Sequence, residues 1–257
     1  MTFALVALAN TLVGACIGLT GVAGFLLPMF YTGFVCLAPV DSLALSFAAF
    51  IVSGLLGCPA YRRTGDLPLR TTAWFGAGSL AGALAGVRIG LALPAEALTV
   101  ALYAVVLVSG ASVLLRMLPR RGGRTPARPA AQEPAGSHAS YALIGAATAC
   151  LCSATGAGGP VLVMPTLMLL RFPPRTAVAM SLLDSVAIAV PSAVGYFASG
   201  AVTPLAWALL VPALLGHAVG TVAGSRSAAR IDANLLKGIV AVGSMGIALL
   251  KLGQALL

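Results

Sequence analysis

Two short stretches set glycines, a threonine and a proline inside otherwise apolar runs. The first reads Thr20-Gly21-Val22-Ala23-Gly24, with Pro28 beyond it. The second reads Thr155-Gly156-Ala157-Gly158-Gly159-Pro160, with Pro165 beyond it. Glycine permits positive φ and lets the backbone approach a ligand closely. Where such a stretch opens a helix, unpaired N–H groups and the positive dipole end suit an anion. The threonine hydroxyls, with Ser46 and Ser181, would add donors. The plainer reading is that these glycines only make tight turns; their duplication favours a site. Asp184 lies three residues past Ser181, and His217 also lies within an apolar run. A carboxylate so placed either takes up a proton or is hydrogen-bonded to Ser181 or Ser185. His217 either pairs with Asp184 and titrates near neutrality, or packs between helices. Arg88 either draws in anions or snorkels to an interface.

The elements that carry these residues follow from composition. The chain has 257 residues, 60% hydrophobic and 8% charged, with mean hydropathy +1.03. Soluble chains carry about 25% charged residues, so this composition excludes a soluble fold and points to the lipid bilayer. Fifteen Lys and Arg against six Asp and Glu resemble a nucleic-acid signature. These cations sit between apolar runs, however, so no nucleic-acid partner is expected and the excess reads as topology. The amino end has no positive n-region, so no signal peptide is expected. Five cysteines, an odd number in apolar stretches, argue against a disulfide framework. Cys150-x-Cys152 lacks partners at metal spacing, so neither metal nor cofactor is expected.

Residues 41–61, 69–91, 97–118, 176–197, 204–225 and 235–256 each have the length and apolarity of a membrane helix. Segments 3–37 and 141–172 are apolar but broken in the middle. An offset of 135 places Gly21 on Gly156, Gly24 on Gly159, Ser46 on Ser181 and Tyr61 on Tyr196. An offset of 134 places Gly82, Gly86 and Gly90 on Gly216, Gly220 and Gly224. The chain therefore reads as a duplication: a first transmembrane repeat at 1–118, a cytoplasmic Arg/Pro/Gly-rich linker at 119–140, and a second repeat at 141–257. The glycine series imply close helix packing, and Trp74 and Trp207 suit interface anchors.

The cations choose between two topologies. If the broken segments cross once, nine basic residues lie inside and six outside. If each dips in and returns, thirteen lie inside and only Arg88 and Lys251 outside. The second arrangement obeys the positive-inside rule better. It predicts an all-α polytopic membrane protein of two inverted repeats, each a re-entrant broken helix pair plus three transmembrane helices, with both termini outside. Broken helices of inverted repeats meet near the membrane middle in secondary transporters.

Gly-x-Gly-Gly with its following proline, Pro174-Arg175-Thr176-Ala177-Val178-Ala179-Met180-Ser181 and Tyr196-x-x-x-Gly200, echoed in the first half, resemble the TauE/SafE sulfite-exporter family of membrane transporters. The likeness runs from about Leu12 to Leu250 and is weaker in the first half, where Ala23 replaces a glycine and Pro28 is displaced. It implies transport of sulfite, an organosulfonate or a related small anion in a bacterial inner membrane. Carried onto Gly156, Gly158, Gly159, Pro165 and Ser181, and onto Gly21, Gly24 and Ser46, the family's motif implies the same site. No enzyme signature appears. The expectation is a secondary carrier with protons as the coupled ion; the alternatives are a passive anion channel and a non-transporting assembly subunit. The sequence allows a homodimer.

Overall fold

The computed structural model describes residues 2–20, 23–62, 68–117, 137–227 and 233–256. Among these, the secondary structure is helical. Helix α1 spans Thr2–Thr20, and a 3-10 turn at Ala23–Phe25 leads into α2, Leu26–Gly33. Then follow α3 (Pro39–Arg62), α4 (Leu69–Ala92) and α5 (Ala95–Met117). The second half repeats the order with α6 (His138–Thr155), α7 (Gly159–Leu169), α8 (Pro174–Ala198), α9 (Pro204–Ser227) and α10 (Ala233–Leu256). Prolines punctuate the starts. Pro39, Pro174 and Pro204 each open a helix, where the missing N–H has no intrahelical partner to lose.

The six expected spans fall on α3, α4, α5, α8, α9 and α10, and among the described residues α10 carries only a shorter apolar stretch, Val242–Gly253. Six helical segments among the described residues are long and apolar enough to cross a bilayer: Thr2–Leu19, Pro39–Leu56, Leu69–Ala92, Ala95–Ser112, Thr176–Ala198 and Pro204–Ser227. The chain is a multi-pass, all-helical membrane protein. One difference concerns α1. The sequence placed the break in the middle of this segment, yet α1 has 19 residues and α2 only 8. The break falls late because the 3-10 turn takes up the residues just before α2.

Each broken segment folds back on itself. Asn10 of α1 donates through Nδ2 to the Tyr31 hydroxyl of α2 at 2.7 Å. In the second half, Tyr141 of α6 meets Phe172, just past α7, edge to face with ring centroids 6.2 Å apart. Helix α4 lies along α6, and α9 along α1, with backbones touching. A Cβ on Gly78, Gly82 or Gly86 would overlap the carbonyls of Ala142, Ala146 and Cys150 in turn. Gly216, Gly220 and Gly224 stand the same way against Ala7, Thr11 and Ala15. Both numberings rise together, so each pair runs parallel. Lipid offers no hydrophobic drive between helices, so contact this close must come from small residues.

Helices α3 and α8 cross the centre in opposite directions. Phe47 stacks on Tyr196 at 6.0 Å, while Gly54 lies against Ser185 and Val186. The start of α3 is tied to the start of α9 by Asp41, whose two carboxylate oxygens accept the Thr203 N–H and hydroxyl, each at 2.8 Å. Helices α5 and α10 pack on each other beside α2, where Met29, Tyr103 and Ala248 share a buried cluster. His138, which the sequence placed in the linker, is the first residue of α6 and stacks on Trp74 at 5.6 Å.

Candidate functional site

The two breaks meet. Helix α6 ends at Gly156, whose φ of +74° is left-handed and whose N–H donates to the Cys152 carbonyl at 2.8 Å. Gly158, at φ +38°, then caps the start of α7. Both angles favour residues without a Cβ. Gly24, in the 3-10 turn of the other break, faces Gly158 directly. A Cβ built on Gly24 would stand 3.7 Å from the Gly158 Cα, and one on Gly158 would stand 3.6 Å from the Gly24 Cα. The Phe50 ring lies 3.2–3.3 Å from both positions. On the other flank, a Cβ on Gly159 would come within 2.8 Å of the Ser185 Cα. The tips are therefore held between the middle of α3 and the middle of α8.

Ile17, Gly24, Phe50, Ser53, Gly158, Leu182 and Ser185 enclose a void here. Its volume, about 10 Å³, is at the lower limit for one water. The structure is closed at this point. The hydroxyls around it are turned inward on their own helices. Ser185 donates to the Leu182 carbonyl at 2.7 Å and Ser53 to the Phe50 carbonyl at 3.2 Å. One turn before Phe50 and Ser185 lie Ser46 and Ser181, both buried, donating to Ser42 at 2.6 Å and Val178 at 2.9 Å. Thr155 donates to Leu151 at 2.6 Å. Gly21 and the Thr20 side chain lie outside the described residues.

The family description "Sulfite exporter TauE/SafE" matches residues 3–250. The chain belongs to the TauE/SafE family. No curated protein and no solved structure matches it. As a TauE/SafE member it is a membrane transporter of the sulfite-exporter type.

Asp184 and His217 of this TauE/SafE protein line neither the void nor each other's surroundings. Asp184 is 2% exposed and faces α4, where Gly76 and Ser79 are its neighbours. Ser79 donates to the Gly145 carbonyl at 3.3 Å and stands close to Asp184, but neither Asp184 oxygen has a partner at full hydrogen-bond geometry. His217 is fully buried against α1, its backbone at Gly14 and its ring beside the Asn10 carbonyl. Neither ring nitrogen makes a hydrogen bond, and neither does Thr221 Oγ1 one turn on. Arg88 is exposed near the end of α4.

Sequence reasoning missed Phe50, Ser53, Ser185 and the Asp41 clamp. A signal for two of them existed, because Phe50 and Ser185 correspond at the offset of 135. They differ in chemistry, and a repeat search keyed to identical residues passes over them.

Proposed function

We propose that this TauE/SafE member is a secondary carrier of a small oxyanion, sulfite or an organosulfonate, in a bacterial inner membrane. The observation that carries the reading is the contact of Gly24 with Gly158. Two helix breaks meet there without side chains between them, beside the start of α7 and the Ser53 and Ser185 hydroxyls. An anion entering between the tips would meet helix-start N–H groups and the dipole of α7. Ser46, Ser181 and Thr155 would supply hydroxyl donors by rotating away from their own helices. Thr20, Gly21, Gly156 and Gly159 complete the expected lining. The closed void favours a carrier over a passive channel, since a channel needs a continuous path.

The proposed architecture is two inverted repeats, 1–118 and 141–257, joined by the cytoplasmic linker. Three relationships support it: α3 and α8 run antiparallel, and α1 with α9 and α4 with α6 run parallel. If α3 enters from outside, these directions make each broken segment return to the side it came from. Protons are the proposed coupled ion, with Asp184 and His217 as the groups that carry them, and Arg88 as an outer attractor of anions. An inside-negative potential favours outward movement of an anion.

Anion-dependent thermal stabilisation tests the site, comparing sulfite, sulfate, a sulfonate and a carboxylate. Sulfite or the sulfonate is expected to raise the melting temperature above the carboxylate; equal effects from all four would overturn the assignment. In proteoliposomes, labelled sulfite flux should saturate and respond to a pH gradient. A reporter fused at Leu257 should read external.

A further inference from the structure

Helices α4 and α8 run parallel, with Val87 touching Gly195 and Gly76 beside Ala187. Between their outer faces lies a groove of about 710 Å³, within the range of roughly 300–1,000 Å³ common for ligand sites. It starts at Leu69, at the beginning of α4, and continues past Gly76 to Leu80 and Val190. Leu69, Leu80, Leu183 and Val190 are exposed, so in the bilayer the groove opens sideways to lipid. Its walls are alkyl groups apart from Thr72 and Asp184. The Thr72 hydroxyl is committed to the Pro68 carbonyl at 2.8 Å. Asp184 is thus the groove's one uncommitted polar group, 98% buried, with neither oxygen partnered at full hydrogen-bond geometry.

A carboxylate in such a place is costly unless something pairs with it. A metal ion would need several oxygen ligands, and these walls do not supply them. An ammonium head brings its own three donors and carries an apolar tail that fits alkyl walls. Gly76 is the small residue beside the carboxylate: a Cβ there would stand 4.0 Å from Asp184 Oδ1 and 3.9 Å from the Ala187 Cβ, so a head that reaches the buried oxygens displaces no side chain of α4 at this position. The other half has no such arrangement. At the repeat offsets Asp184 becomes Ala49 and Gly76 becomes Leu210, which packs on the core.

We propose that the α4–α8 groove is a lateral binding site for a primary alkylammonium amphiphile, with Asp184 as its charge partner and Gly76 as the small residue beside the carboxylate. The groove shares no lining residue with the void at the Gly24–Gly158 contact, and the site does not depend on which anion is carried.

Labelling of the full-length protein in membranes with dicyclohexylcarbodiimide tests this, read by mass spectrometry of the peptide containing Asp184. The protonated carboxyl O–H adds across one C=N bond of this lipid-soluble reagent to give an O-acylisourea, with nothing leaving. Asp184 is expected to label with this reagent and not with a water-soluble carbodiimide. Octylamine at about ten times its half-protecting concentration should reduce the Asp184 adduct about tenfold by mass action without appearing as the Asp184 octylamide, the product of amine attack on the O-acylisourea with loss of dicyclohexylurea, while ethylamine at the same concentration should not reduce it. Gly76→Leu should block labelling, and Ala73→Phe, which fills the groove from an exposed position, should do so without touching the helix contact. The proposal is overturned if Asp184 fails to label, labels equally with the water-soluble reagent, labels unchanged under octylamine, or labels unchanged in both filled variants.

Discussion

Gly24 and Gly158, 134 residues apart in the chain, face each other across the centre of the protein with each Cα within 3.7 Å of where the other's Cβ would be. The Phe50 ring seals one side of this contact. Any side chain added to either glycine must move that ring or part the two hairpin tips. A small anion seated between the tips would have to do the same.

Gly24→Ala places a methyl 3.2–3.3 Å from the Phe50 ring, so the ring must give by a few tenths of an ångström. We expect sulfite-dependent stabilisation to weaken about tenfold, or about 1.4 kcal/mol. Gly158→Ala adds the strain of a left-handed φ, about 1–2 kcal/mol, and should lose more. Phe50→Leu in the Gly24→Ala background should recover part of the loss. Unchanged anion response in both single variants would move the site elsewhere.

The parallel seams are structural. Gly82→Ala and Gly220→Ala each drive a methyl into a carbonyl of the neighbouring helix, and each should cost about 1–3 kcal/mol by overpacking. Gly243 on α10 has nothing within 4 Å of its Cβ position. Gly243→Ala should therefore be neutral or stabilising by up to about 1 kcal/mol. Melting temperatures in detergent distinguish the two classes.

Asp41→Ala strands the N–H and hydroxyl of Thr203. The expected cost is about 1–3 kcal/mol, visible as a lower melting temperature. Asp41→Asn keeps one acceptor oxygen and should lose less. If the two variants melt alike at the wild-type temperature, the clamp does not hold α9 to α3.

Proton coupling separates Asp184 from His217. An imposed proton gradient should drive sulfite movement in proteoliposomes of the wild type. In Asp184→Asn that response should disappear while saturable exchange of sulfite for sulfite persists, because the residue does not line the void between the tips. His217→Gln tests the other helix pair in the same assay. Retention of the full gradient response in both variants would exclude both as proton carriers.

Much of the architecture was written locally. The helices at 39–62, 69–92 and 204–227 lie within a few residues of where apolar runs end at Pro, Gly or Arg, because span length and hydropathy are properties of the run itself. The Gly78–Gly90 and Gly216–Gly224 series likewise announced a smooth helix face through their four-residue spacing. What they did not announce was the partner. Each series packs on the broken helix of the other half, α6 or α1, and that pairing depends on the topology of the whole chain.

The sequence by itself determined that this is a many-helix membrane protein with two interrupted segments, since lipid burial and breaks are set by neighbouring residues. Tertiary structure alone decided that Gly24 opposes Gly158 rather than Gly159, its offset partner, and that Phe50 and Ser185 flank the tips. It also decided that Asp184 and His217 face different helices. Such contacts join residues far apart in the chain, and they arise only when parallel seams and antiparallel central helices satisfy one packing together.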